Sequence, residues 1–179
     1  SKLGEKRQIK IQLPRGYGFN QDKNYPVFIV LDGDYLFEAV AGNVDYYSYW
    51  EDMPEAIVVG VNQVNTRYED GLYSEQNSLP VETGASFFEF LGTELLPYIE
   101  TNYRTVDFRV AVGHGNTANF INYYLLKSNP LFQAYIVVSP ELAPNMLEYI
   151  PESLTKIQSK VFYYLANAEG DLSLIHISE

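Results

Sequence analysis

The chain contains no cysteine, only two histidines and few basic residues for its length of 179. The lack of cysteine excludes disulfide frameworks and thiolate metal sites. Lys and Arg number 12 against 23 Asp and Glu, which gives a net charge of −11. A surface this acidic repels phosphate backbones and anionic lipid headgroups, so nucleic-acid partners and membrane docking are not expected.

Long apolar runs are also absent, and none approaches the ~20 residues that a membrane-spanning helix needs. Hydrophobic residues make up 46% of the chain and charged residues 20%, which predicts a globular domain with a sizeable core. No histidines stand at metal-ligand spacing, so we expect neither a metal nor another cofactor.

The sequence at each end of the chain indicates truncation of a longer protein. The last eight residues, LSLIHISE at Leu172–Glu179, match the translation of a transposase mosaic end used in sequencing libraries, running on into adapter. We therefore expect 172–179 to be a non-native tail, which removes His176 from consideration. The native protein is then expected to continue beyond Asp171, and the lack of an initiator Met at Ser1 suggests truncation there too. The expectation is one incomplete domain over residues 1–171.

Apolar runs alternate with helical patterns along the chain. Six strands are predicted, at Gln8–Leu13, Pro26–Asp32, Ala56–Val61, Arg109–Val112, Ala134–Ser139 and Lys160–Leu165. Four helices are predicted, at Tyr35–Trp50, Gly84–Tyr103, Asn116–Lys127 and Met146–Ile157. A long polar loop is predicted at Asn62–Pro80. This alternation predicts an α/β fold with a mostly parallel, doubly wound sheet and helices on both faces.

The most informative strand end is Arg109–Phe120, which reads RVAVGHGNTANF. A strand, a tight turn and a helix follow one another there, as in the nucleophile elbow G-x-S-x-G. In that alignment Gly113 is the first glycine, Gly115 takes the place of the nucleophilic serine, and Thr117 stands where the last glycine belongs. The nucleophilic hydroxyl is therefore missing.

The same residues also fit the dinucleotide turn G-x-G-x-x-G/A, through Gly113, Gly115 and Ala118. Glu141 lies near the end of the next strand, where a ribose-binding acid belongs. This match is weak, because three small residues recur by chance and the fingerprint usually opens the first βα unit of its domain.

The chain resembles a family of esterases with the α/β-hydrolase fold, which includes enterobactin-type esterases and feruloyl-esterase-like enzymes. The segments that carry the resemblance are LGEKRQIKIQLPRGY, YPVFIVLDGDYLF, MPEAIVVGVNQVNTRYED, FLGTELLPYIETNYRT, RVAVGHGNTANF, LFQAYIVVSPEL and KVFYYLANAEGD. The resemblance implies ester hydrolysis by a serine, an acid and a histidine in that chain order, with a small-molecule ester or acyl ligand.

The family's elbow resembles G-H-S-x-G-G, and this sequence departs from it at the serine, where it has Gly115. The resemblance places the triad acid at Glu169 or Asp171 and the triad histidine further on, beyond this chain. It also implies an oxyanion hole formed by backbone N–H groups, at Asn116, Asp34 and Tyr35. Three residues are expected at the rim of the pocket: His114, Arg67 and Asp70.

Several of these side chains also have plain structural interpretations. We interpret His114 as a packing or capping residue rather than a base, Thr117 as a first-turn residue that satisfies a backbone group, and Asn116 as a helix N-cap. The aromatic cluster of Tyr46, Tyr47, Tyr49 and Trp50 is interpreted as partly the buried face of a helix, in preference to a surface that stacks on a sugar or an aromatic acyl group.

The sequence thus predicts an esterase-family protein that is inactive as written, because Gly115 supplies no nucleophile and no triad histidine is present. Two alternatives stay open. The native full-length protein is an active serine hydrolase if Gly115 is an error, since some serine and glycine codons differ by one base. Alternatively, the glycine turn binds a dinucleotide.

Overall fold

A computed structural model describes residues 2–167. Its strands are β1 (Ile9–Gln12), β2 (Tyr25–Val30), β3 (Ile57–Val61), β4 (Thr105–His114), β5 (Ala134–Val138) and β6 (Phe162–Ala166). They form one sheet in the order β1-β3-β2-β4-β5-β6. β1 runs antiparallel to β3 and every other pair is parallel. The predicted mostly parallel α/β sheet is confirmed.

Helices cover both faces of this sheet. They are α1 (Phe37–Tyr49), α2 (Arg67–Asp70), α3 (Glu82–Phe90), α4 (Leu96–Asn102), α5 (Asn116–Ile121) and α6 (Met146–Leu154). A π-helical turn at Leu91–Leu95 joins α3 to α4, and a 3-10 helix at Asn122–Leu126 continues α5. The four predicted helices are present, but the prediction of a loop at Asn62–Pro80 misses the single turn of α2.

The break in the long helix between Glu82 and Asn102 has a local cause. Pro97 lies in the first turn of α4 and has no N–H to donate to the carbonyl of Thr93. The π turn directly before it has hydrogen bonds between residues i and i+5, which widen the helix locally. The helix therefore continues through the proline instead of ending there.

Alternate side chains of the central strands separate two apolar layers. Val27 and Ile29 of β2 belong to the larger layer, which the helices from α3 to α6 cover. Val30 and Val58 face the opposite side and pack with Ala41 of α1. Burial on both faces explains the continuous apolar runs in these strands, and each fully buried side chain contributes about 1.5–3 kcal/mol.

The aromatic cluster of α1 lies at the surface rather than in the core. Tyr46, Tyr47, Tyr49 and Trp50 are between 46% and 60% exposed. The interpretation of this cluster as a buried helix face is therefore wrong. The positions of α1 that turn towards the sheet carry the small side chains of Ala41 and Val44 instead.

Candidate functional site

The candidate site lies at the edge of the sheet where four strands end. Asp32 follows β2, Gln63 follows β3, Gly115 follows β4 and Glu141 follows β5. These four strands are parallel, so their carboxyl ends meet at one edge. Open α/β sheets bind their ligands at this edge.

The turn after β4 has an unusual backbone at Gly115, with φ 59° and ψ −120°. Side-chain-bearing residues adopt this region only with strain, whereas glycine enters it freely. The Gly115 N–H donates to the Val138 carbonyl over 3.0 Å, and the Gly115 carbonyl accepts from the N–H groups of Asn119 and Glu141, each over 3.1 Å. The turn is therefore fixed to β5, to α5 and to the segment after β5.

The space beside Gly115 is taken by two charged side chains from other elements. A Cβ atom at Gly115 would lie 3.0 Å from Oε1 of Glu141 and 3.2 Å from Nη2 of Arg67. Gly115 is buried under these two tips, whereas Glu141 is exposed. A carboxylate and a guanidinium thus flank the position where an elbow carries its hydroxyl.

Arg67 is held by a buried carboxylate beneath the turn. The Asp32 side chain is 1% exposed, and its Oδ1 accepts from Nε of Arg67 over 2.7 Å. Nη2 of Arg67 donates to the carbonyl of His114 over 2.8 Å. Burial favours the neutral guanidine, but the hydrogen bond from Arg67 to Asp32 and the Asp32 charge raise the pKa of Arg67 above its ordinary value. Arg67 therefore stays charged and ties the loop after β2 to the turn.

At the start of α5, the structure agrees with the interpretation of Thr117 and disagrees with that of Asn116. The Thr117 hydroxyl donates to Oδ2 of Asp32 over 2.6 Å and accepts from the backbone N–H of His114 over 3.0 Å. Its interpretation as a residue that satisfies a backbone group is confirmed. Asn116 is not the N-cap, because that position is Gly115, and no side chain among the described residues caps the helix. The Asn116 side chain instead lies against Gly71 of the neighbouring loop.

The His114 imidazole is paired with a phenol. Nδ1 of His114 lies 3.0 Å from the Tyr35 hydroxyl, which also lies 3.3 Å from Oδ2 of Asp32. Burial and the Asp32 charge raise the pKa of Tyr35, so the phenol stays protonated and is a poor nucleophile. His114 therefore contacts Tyr35 rather than a serine-like hydroxyl.

The predicted oxyanion donors divide into two groups. The Tyr35 N–H donates to the Asp32 carbonyl over 3.0 Å, so it is not free to bind an oxyanion. The Asn116 N–H opens α5, where helical N–H groups lack an intrahelical acceptor. Within residues 2–167, neither the Asn116 N–H nor the Asp34 N–H has an acceptor. These two backbone groups remain as candidates.

Asp70 lies inside the loop rather than at a pocket rim, contrary to the prediction. It is 2% exposed and accepts hydrogen bonds from Arg7 over 2.8 Å, from Gln63 over 2.9 Å and from Thr66 over 2.9 Å. Burial raises the pKa of Asp70 and these bonds oppose the rise. Asp70 anchors the loop to the N-terminal segment, so its role is structural.

The remaining predicted residues lie outside the part of the chain that the structure describes. These are the acid candidates Glu169 and Asp171, and the 172–179 tail with its His176. Between residues 2 and 167 there is no group of three or more histidines and carboxylates that could hold a metal. No helix of this same stretch is long and apolar enough to cross a membrane.

Two residues that shape the site, Gln63 and Arg7, are not predicted from the sequence, and a third, Glu141, is predicted in another role. Gln63 follows a buried strand at the ligand-binding edge, as Asp32 does, and that placement is the signal that could have identified it. Arg7 reaches Asp70 across 63 positions and leaves no local signal. Glu141 was considered only as a ribose-binding acid.

Comparison with known proteins agrees with this architecture. The family model described as "Putative esterase" matches residues 1–169. A search of curated proteins finds no match.

Three solved structures illustrate the likeness. An uncharacterised protein from Capnocytophaga ochracea is 31% identical with a TM-score of 0.85, over 92% of this chain and 45% of its own. An IroE-like serine hydrolase from Shewanella oneidensis is 23% identical with a TM-score of 0.76, over 99% and 74%. The BES protein from Bacillus cereus is 24% identical with a TM-score of 0.78, over 97% and 73%. The chain thus spans about half of the first of these proteins.

Proposed function

Because the chain belongs to the Putative esterase family of α/β-hydrolases, we propose that the turn at Gly115 is a nucleophile elbow without its nucleophile. In this proposal the site binds a small-molecule ester or acyl ligand and does not hydrolyse it. The observation that carries the proposal is the backbone of Gly115, which lies at φ 59° and ψ −120° at the end of β4 with no hydroxyl at its apex.

The chemistry that remains supports binding rather than turnover. Acyl transfer by covalent catalysis needs a nucleophile, a base in contact with it and donors for the oxyanion. The N–H groups of Asn116 and Asp34 are left as donors, but His114 is paired with Tyr35 over 3.0 Å. Removing a triad member typically lowers kcat by about 10⁴-fold or more, because only the oxyanion donors and ligand binding remain.

The names of three structural neighbours support the proposal that the ligand is an ester. One is a siderophore hydrolase from Aspergillus nidulans, one a ferulic acid esterase and one an enterobactin and salmochelin hydrolase. All three names denote hydrolases of small molecules. We extend to this chain only their common class of ligand, a small ester or its acyl part.

Dinucleotide binding at the same turn is opposed by the local charge. The pyrophosphate of a dinucleotide approaches the second glycine of its turn, here Gly115. The Glu141 carboxylate stands at that point, 3.0 Å from where a Cβ atom would be. A pyrophosphate placed at Gly115 would be repelled by this carboxylate.

The first test is the reaction of the chain with 4-nitrophenyl acetate. We expect no burst of 4-nitrophenolate specific to the folded chain and no release beyond that seen with urea-unfolded chain, because residue 115 carries no hydroxyl. Mass spectrometry of the protein is expected to show no acetyl group on residues 113–117 after the reaction.

Urea-unfolded chain provides the control for chemical acetylation of lysines, which needs no fold. A burst equal to the protein concentration, seen only with folded chain and matched by an acetyl group within residues 113–117, would overturn the proposal.

A further inference from the structure

The charged side chains around Gly115 bear on which acyl ligand the site accepts. This inference rests on the proposed function. Arg67 is the cation nearest to the turn, and the buried carboxylate of Asp32 neutralises it through the 2.7 Å contact described above. Glu141 has no such partner. Within residues 2–167, no hydrogen bond and no ion pair engages its carboxylate, and Arg67 attracts it only at longer range.

The position of Glu141 is set by its own backbone. Its N–H donates to the Gly115 carbonyl over 3.1 Å. Ser139, two residues earlier, has a left-handed backbone with φ 42° and donates its N–H to the Ala166 carbonyl over 2.7 Å. These contacts fix the chain between β5 and α6, so the Glu141 side chain starts directly above the turn.

The missing side chain at residue 115 lets this carboxylate approach. Its Oε1 comes within 3.0 Å of the place where a Cβ atom would lie, closer than most real contacts to a Cβ atom. Glu141 is exposed while Gly115 is buried beneath it. When the acyl carbon of a ligand lies over the turn, the substituents on the neighbouring carbon atom therefore lie beside the Glu141 carboxylate.

We propose that Glu141 selects acyl ligands that carry an ammonium group next to the acyl carbon, such as aminoacyl esters. Within residues 2–167, Asp32 and Glu141 are the negative side chains placed around the turn and Arg67 is the positive one, which leaves one negative charge without a counter-charge. This negative charge attracts a ligand with an ammonium group and repels a ligand with a carboxylate. It does not strengthen the binding of a ligand with a neutral group. Glu141 is thus a specificity-determining residue of the site.

The test compares two esters of nearly the same shape, L-alanine methyl ester and methyl isobutyrate, which differ by an ammonium group in place of a methyl group. Each is titrated into the ¹⁵N-labelled 179-residue chain at about pH 6, where the amine is protonated. The amide shifts of residues 113–117 report the affinity. We expect the ammonium ester to bind about fivefold more tightly than methyl isobutyrate, as one partly exposed ion pair allows.

Three variants separate a charge effect from a structural one. Glu141→Gln is expected to abolish the preference, with the loss falling on the affinity for the ammonium ester. Glu141→Asp is expected to keep part of the preference, because it retains the charge on a shorter side chain. Glu51→Gln removes an exposed carboxylate from the opposite edge of the sheet, after α1, and is expected to keep all of it. Added salt should weaken the preference in the unmodified chain.

Equal affinity for the two esters, or a preference that survives in Glu141→Gln, would overturn the role of Glu141 and leave the proposed function intact. If neither ester shifts the amides of residues 113–117, the proposed function fails and the selectivity fails with it.

Discussion

Gly113→Ala is expected to lower the free energy of unfolding by about 3 kcal/mol or more. A Cβ atom at Gly113 would lie 2.6 Å from the carbonyl oxygen of Thr117 and 2.8 Å from the backbone nitrogen of Ala118. These are backbone atoms of α5, and the Thr117 hydroxyl ties that helix to buried Asp32 over 2.6 Å. α5 therefore has little freedom to move away. Urea unfolding followed by circular dichroism measures the loss.

Gly42→Ala provides the matched control for this change. Among residues 2–167, no atom outside the local helix backbone lies within 4 Å of the position that its Cβ atom would take, and Gly42 is inside α1. Alanine there is expected to raise the free energy of unfolding by up to about 1 kcal/mol, because it restricts the unfolded chain and favours the helix. If Gly113→Ala costs less than about 1 kcal/mol, the close packing of α5 on the turn is not as described.

Asp32→Ala is expected to have the second large effect, a loss of about 3 kcal/mol in the free energy of unfolding. Removing one partner of a buried ion pair typically costs 3–5 kcal/mol, because the other charge is left without compensation. The Arg67 side chain is 36% exposed and can turn towards water, which places the expected loss at the lower end of that range. The amides of His114 and Gly115 should shift in the same variant, since Arg67 bonds to the His114 carbonyl.

Asp45→Ala is the matched control at the surface. Asp45 accepts from Nε of Arg15 over 2.7 Å, but its side chain is 33% exposed and that of Arg15 is 62% exposed. An exposed pair of this kind contributes little to stability, because water and salt screen both charges. Comparable losses in Asp32→Ala and Asp45→Ala would show that the Asp32–Arg67 pair does not hold the turn in place.

Strands of the fold could be predicted wherever the sequence has a continuous apolar run. The run Pro26–Asp32 is apolar on both faces, and it forms β2 in the centre of the sheet. β4 is longer than predicted and begins at Thr105 instead of Arg109. Its first residues are partly polar and exposed, so hydropathy gives no signal there, but the backbone still pairs with β2 from Tyr25 onwards.

The turn at Gly115 could be predicted from the sequence, whereas the side chains that surround it could not. The order of glycine, histidine and glycine after a strand identifies the turn at Gly115 from the sequence alone. The approach of Glu141 to Gly115, and of Arg7 to Asp70, depends on how distant segments pack, and no local pattern encodes it. For the same reason Asp70 was predicted at a rim although its carboxylate is buried.

In the proposed function, the site at Gly115 binds an acyl ester and leaves it intact. One NMR experiment tests both parts: methyl isobutyrate is added to the ¹⁵N-labelled chain, and the amides of Gly115 and Asn116 are followed together with the ester's own methoxy signal over a day. We predict saturable amide shifts and an ester signal that decays no faster than in buffer. Protein-dependent conversion of the ester to methanol and isobutyrate, or amides that do not respond to saturating ester, would contradict the account.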